Sequence, residues 1–446
     1  MQSSLNHRSR ASFLSALFMG LGQIYNGQWI KGAILTGVHL SFLAVEFGSR
    51  LIEPLNSQLG LRGRSIIGHA LWSITTLGER PGVRGDHSLF LLIDALIVLT
   101  VLAVFLLVYI GNVLDAWHTG KRRDQGLRIV GFKQNMTDLY EKGFAYLLLA
   151  PGTGMMLFFV VMPLLFSISI AFTNYSLHNA PPARLVSWVG FENFLSIWRI
   201  EAWRNSFVHV FGWTVAWTIF STLSTFFLGL FLAVLLNHPR LKFRRFFRTF
   251  LILPWAIPGF ISILVLRGLF NDQWGHVNQM LAAVGIAQIP WFNSIFWSRA
   301  LILIVNLWLG FPWFMILCTG VLQSIPVEVY EAAEVDGASD FQQFWRITLP
   351  LVLYAVGPLL IMSFAHNFNN FNAVYLLTGG GPAVPGLRAA GGTDILITWV
   401  FKVAFDELFR YNYAAAISLV IFVIVAIISI WNFRRTRQFQ EEDMIS

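Results

Sequence analysis

Long apolar runs alternate with short polar segments along this chain. Stretches near residues 31–48, 89–111, 146–172, 207–236, 248–270, 300–323, 351–378 and 413–432 are apolar over enough length to cross a hydrocarbon core, which takes roughly 20 residues of helix. The pattern predicts an all-α fold, a polytopic transmembrane helical bundle of about eight spans. Ahead of the first span, residues 11–30 are apolar but carry Gly20, Gly22, Gly27 and polar side chains, which favours an interfacial or re-entrant placement over a crossing. No small-residue cleavage site follows this segment, so it is expected to stay attached.

The alternation breaks most sharply between the sixth and seventh runs, where Glu331 to Pro350 form a polar, helix-capable insert. Pro326 suits the start of a first helix, and Glu328, Glu331 and Glu334 suit its positive N-terminal end. Gly337 then stops it in a left-handed conformation. Ser339 with Gln342 forms a capping box for a second helix expected to end before Pro350. On that helix Phe341, Phe344, Trp345 and Thr348 recur at offsets of three and four, giving one mostly apolar face. A hairpin of this shape fits a groove on a partner.

Composition narrows the class. With 56% hydrophobic and 12% charged residues in 446, the chain falls far below the charged fraction of soluble domains, about a quarter. The net charge of +8 does not point to nucleic acid, because the basic residues cluster at span ends, where anionic lipid headgroups are the partners. Lys121, Arg122, Arg123, Arg128, Lys133 and Lys142 follow the second span; Arg240, Lys242, Arg244, Arg245 and Arg248 follow the fourth; Arg434, Arg435 and Arg437 follow the last. The excess of cations places these segments, both termini and the polar insert in the cytoplasm. Arg50, Arg62, Arg64, Arg80 and Arg84 between the first two spans pull the other way. Cys318 is the single cysteine, which excludes an intrachain disulfide and suits a small apolar filler. A division near residue 143 separates 1–143, with two spans and a basic loop, from 144–446, with six spans and the hairpin at about 324–350.

Candidate chemistry lies in the seventh run. His366, Asn367 and Asn370 sit on neighbouring faces, and Phe364, Phe368, Phe371 and Tyr375 recur at helical intervals. Amides that both donate and accept, beside aromatic faces, suit a neutral carbohydrate; interhelical hydrogen bonds between asparagines are an equally physical use. Asp94 and Glu46, acidic residues in or near spans, favour structural pairing. Trp274, Trp291, Phe292 and Trp297 in 271–299 are headgroup anchors or contacts to an external partner. Thr378-Gly379-Gly380-Gly381-Pro382 lacks the Lys-Ser/Thr of a P-loop and reads as a loop that ends the seventh span. The histidines His39, His209 and His276 form no spaced metal pair, so neither metal nor cofactor is expected.

The spacing Glu331-Ala332-Ala333, three residues, Gly337, nine residues, Ile347, one residue, Leu349-Pro350 resembles the EAA loop of membrane subunits in binding-protein-dependent ABC importers. The stretch from Phe364 to Pro382 is similar to the larger permease subunit of maltose and maltodextrin importers. This resemblance implies a transport subunit, not an enzyme, in a bacterial or archaeal cytoplasmic membrane. It also implies a second related permease, two cytosolic ATPase subunits and an extracytoplasmic sugar-binding protein as partners. Glu331, Ala332, Ala333, Asp336, Gly337, Ile347, Leu349 and Pro350 would couple to the ATPase, with Glu331, Asp336 and Gly337 foremost. Positions matching Trp255, Asn306, Gly310, Trp313, His366, Asn367 and Asn370 line the sugar site in that family. Asn306, Gly310, Asn367 and Asn370 agree with its pattern, whereas Trp255, Trp313 and His366 replace Tyr, Tyr and Phe. The segment 173–206 is far shorter than the large external domain of some maltose-type subunits. Maltose or a maltodextrin is the expected solute, with a galacto-oligosaccharide or trehalose as alternatives; a glycan enzyme using Asp94 or Asp272 would leave the hairpin without a purpose, and an ion-coupled transporter would carry a proton on Asp94.

Overall fold

A computed structural model describes residues 6–51, 64–238 and 241–435. Arg62, Arg240 and Arg437, used above to orient the spans, and both chain ends lie outside the described residues. The described residues are helices joined by loops with isolated bridges. They form two compact units that divide between Gly190 and Phe191, so the compositional boundary near residue 143 falls within the first.

The first unit holds α1 (His7–Leu17), α2 (Leu21–Tyr25), α3 (Trp29–Leu51), α4 (Ile66–Thr76), α5 (Ser88–Asp124), α6 (Phe132–Glu141) and α7 (Phe144–Ala171). α1 and α2 are too short to cross a bilayer; they turn at Gly20, whose φ of +89° favours glycine, and pack on α5. The polar groups that argued against a span there find partners on α5. The Gln23 side-chain nitrogen donates to the Asn112 carbonyl at 2.9 Å and to Asp115 Oδ2 at 3.0 Å, and Asn26 Nδ2 donates to the Ala116 carbonyl at 3.0 Å. Glu46 accepts from the Ile67 amide at 3.0 Å, near the start of α4.

The second unit holds α8 (Glu192–Arg199), α9 (Glu201–Asn237), α10 (Arg244–Ile252), α11 (Gly259–Leu269), α12 (His276–Ala283), α13 (Ile295–Ser324), α14 (Val327–Val335), α15 (Asp340–Gln343), α16 (Leu349–Phe368), α17 (Phe371–Thr378), α18 (Leu396–Phe401) and α19 (Tyr411–Arg435). Six predicted spans are helices long and apolar enough to cross a membrane: α3, α5, α7, α9, α13 and the run from α15 to α17. The run expected at 248–270 is instead bent by 91° between α10 and α11, and α19 supplies a shorter apolar stretch, Tyr411–Ile427. The bend has a local cause. Pro258 drives Ile257 into extended backbone (φ −109°, ψ 133°), which ends one helix and starts the next.

α9 and α13 form the central pair. A Cβ added at Gly229 of α9 would stand 2.6 Å from the Phe314 Cβ, and one at Gly310 of α13 would stand 2.7 Å from Thr225 Cγ2, so each helix contributes a glycine where the other approaches. Phe226 meets Phe314 edge to face at 5.6 Å, and Cys318 is fully buried in the same cluster with Leu349 and Val352, as a small filler would be. Trp291 is a second-cluster core residue instead of a headgroup anchor: its indole donates to Asn278 Oδ1 at 3.1 Å. Trp274 remains exposed.

Beyond α17 the chain turns through Gly379 and Gly380, both at positive φ, against the fully buried Asp394. Asp394 accepts from the Gly391 amide (2.7 Å), Thr398 Oγ1 (2.8 Å) and Lys402 Nζ (3.0 Å), and Lys402 also meets Glu407 at 3.0 Å. Burial opposes the charge on Lys402, but Asp394 and Glu407 outweigh it and hold the ammonium above its ordinary pKa. Lys402→Met should therefore cost about 3–5 kcal/mol, read as a lower melting temperature in detergent, by leaving a buried carboxylate unpaired. The ammonium's contribution is complete below the ordinary lysine range and fades as pH rises through the raised value.

Candidate functional site

Three separate stretches of the second unit converge on one cavity of about 500 Å³. The break between α10 and α11 supplies Trp255, α13 supplies Asn306, Gly310 and Trp313, and the end of α16 supplies His366 and Asn367, with Asn370 just beyond. All seven residues proposed from sequence for a solute site thus line the same space. Trp255 and Trp313 lie 5.9 Å apart at an interplanar angle of 31°, and the Trp255 indole is fixed by donating to the Leu309 carbonyl at 3.1 Å. Gly310 lacks the side chain that would collide with Thr225 in the same wall.

The amides divide their capacity between the protein and the cavity. Asn370 is committed at both ends: its oxygen accepts from the Ala373 amide at 3.2 Å, capping α17, and its nitrogen donates to Asn306 Oδ1 at 3.2 Å. Asn367 Nδ2 donates to Thr222 Oγ1 at 3.0 Å, while the Trp217 indole donates to the Asn367 carbonyl at 2.9 Å. Interhelical bonding and solute contact are therefore not exclusive. Among the described residues the Asn306 side-chain nitrogen and the Asn367 side-chain oxygen make no hydrogen bond, and His366 is exposed. One donor and one acceptor, held in place by their other ends, face a space walled by indoles.

The aromatic series Phe364, Phe368, Phe371 and Tyr375 does not line this cavity. The helix breaks at Asn369, where φ is −111°, so the spacing does not carry across. Phe368 is buried; Phe371 stacks on Tyr375 at 4.8 Å, and both meet Phe401. Thr222, Thr225 and Ser363 were missed from sequence. The buried polar stripe Thr214, Thr218, Ser221, Thr222 and Thr225 on α9, at spacings of three, four and one, was the available signal.

At the far end of α13 the chain forms the expected hairpin. Pro326 caps α14; Gly337, at φ +79°, ends it; and Ser339 with Gln342 forms both bonds of a capping box for α15. The second helix does not stop before Pro350. α15 runs through a π-turn, Phe344–Thr348, into α16, and the Leu349 amide bonds back to the Phe344 carbonyl. Pro350 then lies inside the continuous helix, just after the π-turn, and contributes no N–H to it. The extra residue of the π-turn also rotates Thr348 inward, where its hydroxyl meets Tyr330 at 3.0 Å instead of joining Phe341 and Trp345 on the exposed face. Ile347 is half-buried and Leu349 is buried in the core cluster of Phe226 and Phe314, which makes them anchors; Glu331, Ala332, Asp336, Gly337 and Phe341 are exposed, and Ala333 partly so.

Other predicted residues have structural duties. Asp272 accepts from the Phe292 amide and from Asn293, and His209 lies 3.4 Å from the Arg299 guanidinium. Among the described residues no group of three or more His, Cys, Asp or Glu is placed to hold a metal ion. Because an interhelical hydrogen bond in a membrane bundle contributes only about 0.6 kcal/mol, the bond from Asn367 to Thr222 matters more for orientation than for stability. Thr222→Val should leave the melting temperature in detergent almost unchanged while freeing the Asn367 side chain, which solution or solid-state NMR of labelled asparagine would detect; Thr222→Ser should preserve the native signal.

Residues 225–435 match the family described as binding-protein-dependent transport system inner membrane component. The chain is 43% identical to the galactooligosaccharides transport system permease protein GanP of Bacillus subtilis (strain 168), over 98% of this chain and 100% of that one. It is 38% identical to the maltodextrin transport system permease protein MdxF of the same organism, over 99% of each. Similarity to the maltose/maltodextrin permease MalF of Vibrio vulnificus (strain YJ016), at 42%, covers 60% of this chain and 51% of that longer protein. The fold resembles that in a crystal structure of a bacterial ABC transporter for import of alginate, with a TM-score of 0.56 and 24% identity over 68% of this chain and 98% of that one. The chain is thus a membrane-embedded transport subunit and belongs to the binding-protein-dependent permeases of ABC importers.

Proposed function

We propose that this permease forms the translocation path for a neutral oligosaccharide of the maltodextrin class, using alternating access driven by ATP hydrolysis on separate subunits. The observation that carries this reading is the convergence of Trp255, Asn306, Gly310, Trp313, His366, Asn367 and Asn370 on one cavity. Its size lies within the usual range for small-molecule sites, roughly 300–1,000 Å³. Indole faces cover the apolar C–H surface of a pyranose, while Asn306 donates to a hydroxyl and Asn367 accepts from one. A galactooligosaccharide is the second reading, favoured by the relationship to GanP.

In this reading residues 144–446 are the translocation core. The hairpin α14–Gly337–α15 is the EAA loop, held in a groove of one cytosolic ATPase subunit, with Glu331, Ala332, Ala333, Asp336 and Gly337 at the contact. Ile347, Leu349 and Pro350 pass the motion into α16, which carries His366 and Asn367 at its other end. The ATP-driven stroke thereby reaches the cavity along one continuous element. Partners are a second related permease, two ATPases, a sugar-binding protein on the outside and membrane lipids. The hairpin and both termini face the cytosol of a bacterial or archaeal cell.

Gentle purification should co-elute an ATPase and a second permease, and uptake by the complete importer should favour maltodextrins over a panel of other labelled sugars. Strict preference for amino acids or ions would overturn the reading. Gly337→Val forces a β-branched residue into positive φ, at a cost of about 1–2 kcal/mol, and should uncouple ATP hydrolysis from uptake with loss of ATPase co-purification. Labelling of Ala333→Cys or Ser339→Cys from the outer side of sealed cells should fail.

A further inference from the structure

A second cavity, of about 400 Å³, is lined by Arg267, Asn271, Asp272, Gln273, Phe292 and Asn293, together with Thr378. It shares two helices with the first. α11 presents Ile263 to the inner cavity and Arg267 to the outer one, and α17 presents Ala373 to the inner and Thr378 to the outer. Positions four and five apart on a helix are separated by about 6 and about 7.5 Å along its axis, so the two spaces are stacked along the packed pair α11 and α17. Asn293 lies just before α13, and the hairpin lies just after it; the outer cavity is therefore at the opposite end of α13 from the hairpin.

The walls are fixed by internal bonds. Asp272 accepts from the Phe292 amide at 3.0 Å and from Asn293 Nδ2 at 2.6 Å, and its own carbonyl accepts from Asn278 at 3.0 Å. Asn271 Oδ1 accepts from the amides of Gln273 and Trp274 at 3.0 and 3.1 Å. Bonding capacity remains. Arg267 gives Nη1 to the Leu376 carbonyl at 3.3 Å and makes no ion pair among the described residues, and the Gln273 side-chain amide makes no hydrogen bond among them. The Asp272 carboxylate keeps lone pairs beyond those already used.

From this arrangement we propose that the outer cavity is a subsite for a further pyranose unit of the same oligosaccharide, one unit outward from the inner cavity. The proposal rests on the carbohydrate reading above. A guanidinium, a carboxylate and a primary amide around one space can donate and accept at once, which matches the vicinal hydroxyls of a neutral sugar, and the Phe292 ring offers an apolar wall. A site selecting an anion would not place a carboxylate beside its cation. Stacked subsites make the permease sensitive to chain length: a short sugar fills the inner cavity alone, and a longer one reaches both.

The test uses the complete importer reconstituted in proteoliposomes with saturating binding protein, comparing a disaccharide with a hexasaccharide of the same linkage. Gln273→Ala removes an exposed amide that holds nothing in the fold, and Arg267→Met keeps the apolar stem while removing the charge. Each variant should raise KM for the hexasaccharide, by about tenfold for the charged group, with kcat and disaccharide uptake unchanged. An equal loss for both lengths would assign these residues to docking of the binding protein and overturn the subsite, as would unchanged kinetics in both variants. Should Arg267→Met fail to assemble, Gln273→Ala carries the comparison. A wild-type importer that takes up neither sugar would remove the carbohydrate reading itself, and the subsite with it.

Discussion

The close approach of α9 and α13 is the constraint on which the second unit depends. In lipid, helices gain little from burying apolar surface against one another, so association relies on packing that small residues permit. Gly229 on one helix and Gly310 on the other let the backbones come together, and Phe226, Phe314 and Cys318 fill the space around them. Gly310 belongs at once to this contact and to the cavity wall, because it faces Thr225 across the gap. A side chain there would meet Thr225 and push the helices apart.

Around that pair the remaining helices are broken where the cavity lies. Pro258 bends α10 from α11, and α16 ends at Phe368 before α17 begins at Phe371. Non-helical backbone at membrane depth is tolerated where it is buried in protein or lines a cavity. Here the Trp255 indole, the Asn367 carbonyl and the Asn370 cap all lie at such breaks. The breaks thus do two things: they let these groups bond to neighbouring elements, and they aim at the cavity side chains that a straight helix would turn elsewhere.

The hairpin and the cavity occupy opposite ends of α16. The π-turn at Phe344–Thr348 joins the hairpin to that helix without a loop, and the bond between Tyr330 and Thr348 fastens α14 to the same turn. Such a connection is stiff at the junction and exposed at the tip, where Val335 and Phe341 stand clear of the protein. An apolar knob on a rigid stem is suited to transmit displacement when a partner covers it.

Hydropathy alone determined the all-helical membrane class, because roughly 20 consecutive apolar residues have few other fates. Local chemistry likewise marked the hairpin: Pro326, Gly337, Ser339 and Gln342 act through bonds to near neighbours and need no distant contact. The cavity residues were legible through a family resemblance, yet their spacing could not say whether asparagines bond to solute or to helices. That choice is made by Thr222, Trp217 and Asn306, which only folding brings beside Asn367 and Asn370. Periodicity misjudged Phe368, Phe371 and Tyr375 for a related reason, since it assumes an unbroken helix and the chain breaks at Asn369. Trp291 was placed at the headgroups by its residue type, and tertiary packing with Asn278 put it in the core. The sequence by itself determined the apolar helical segments and the caps of the hairpin at Pro326, Gly337 and Ser339, but not the breaks at Ile257 and Asn369. Local order fixed one end of Asn370, through the cap on Ala373, but tertiary structure decided that its nitrogen meets Asn306 and that Asn367 meets Thr222, because hydrogen-bond partners 64 and 145 residues apart are set by packing.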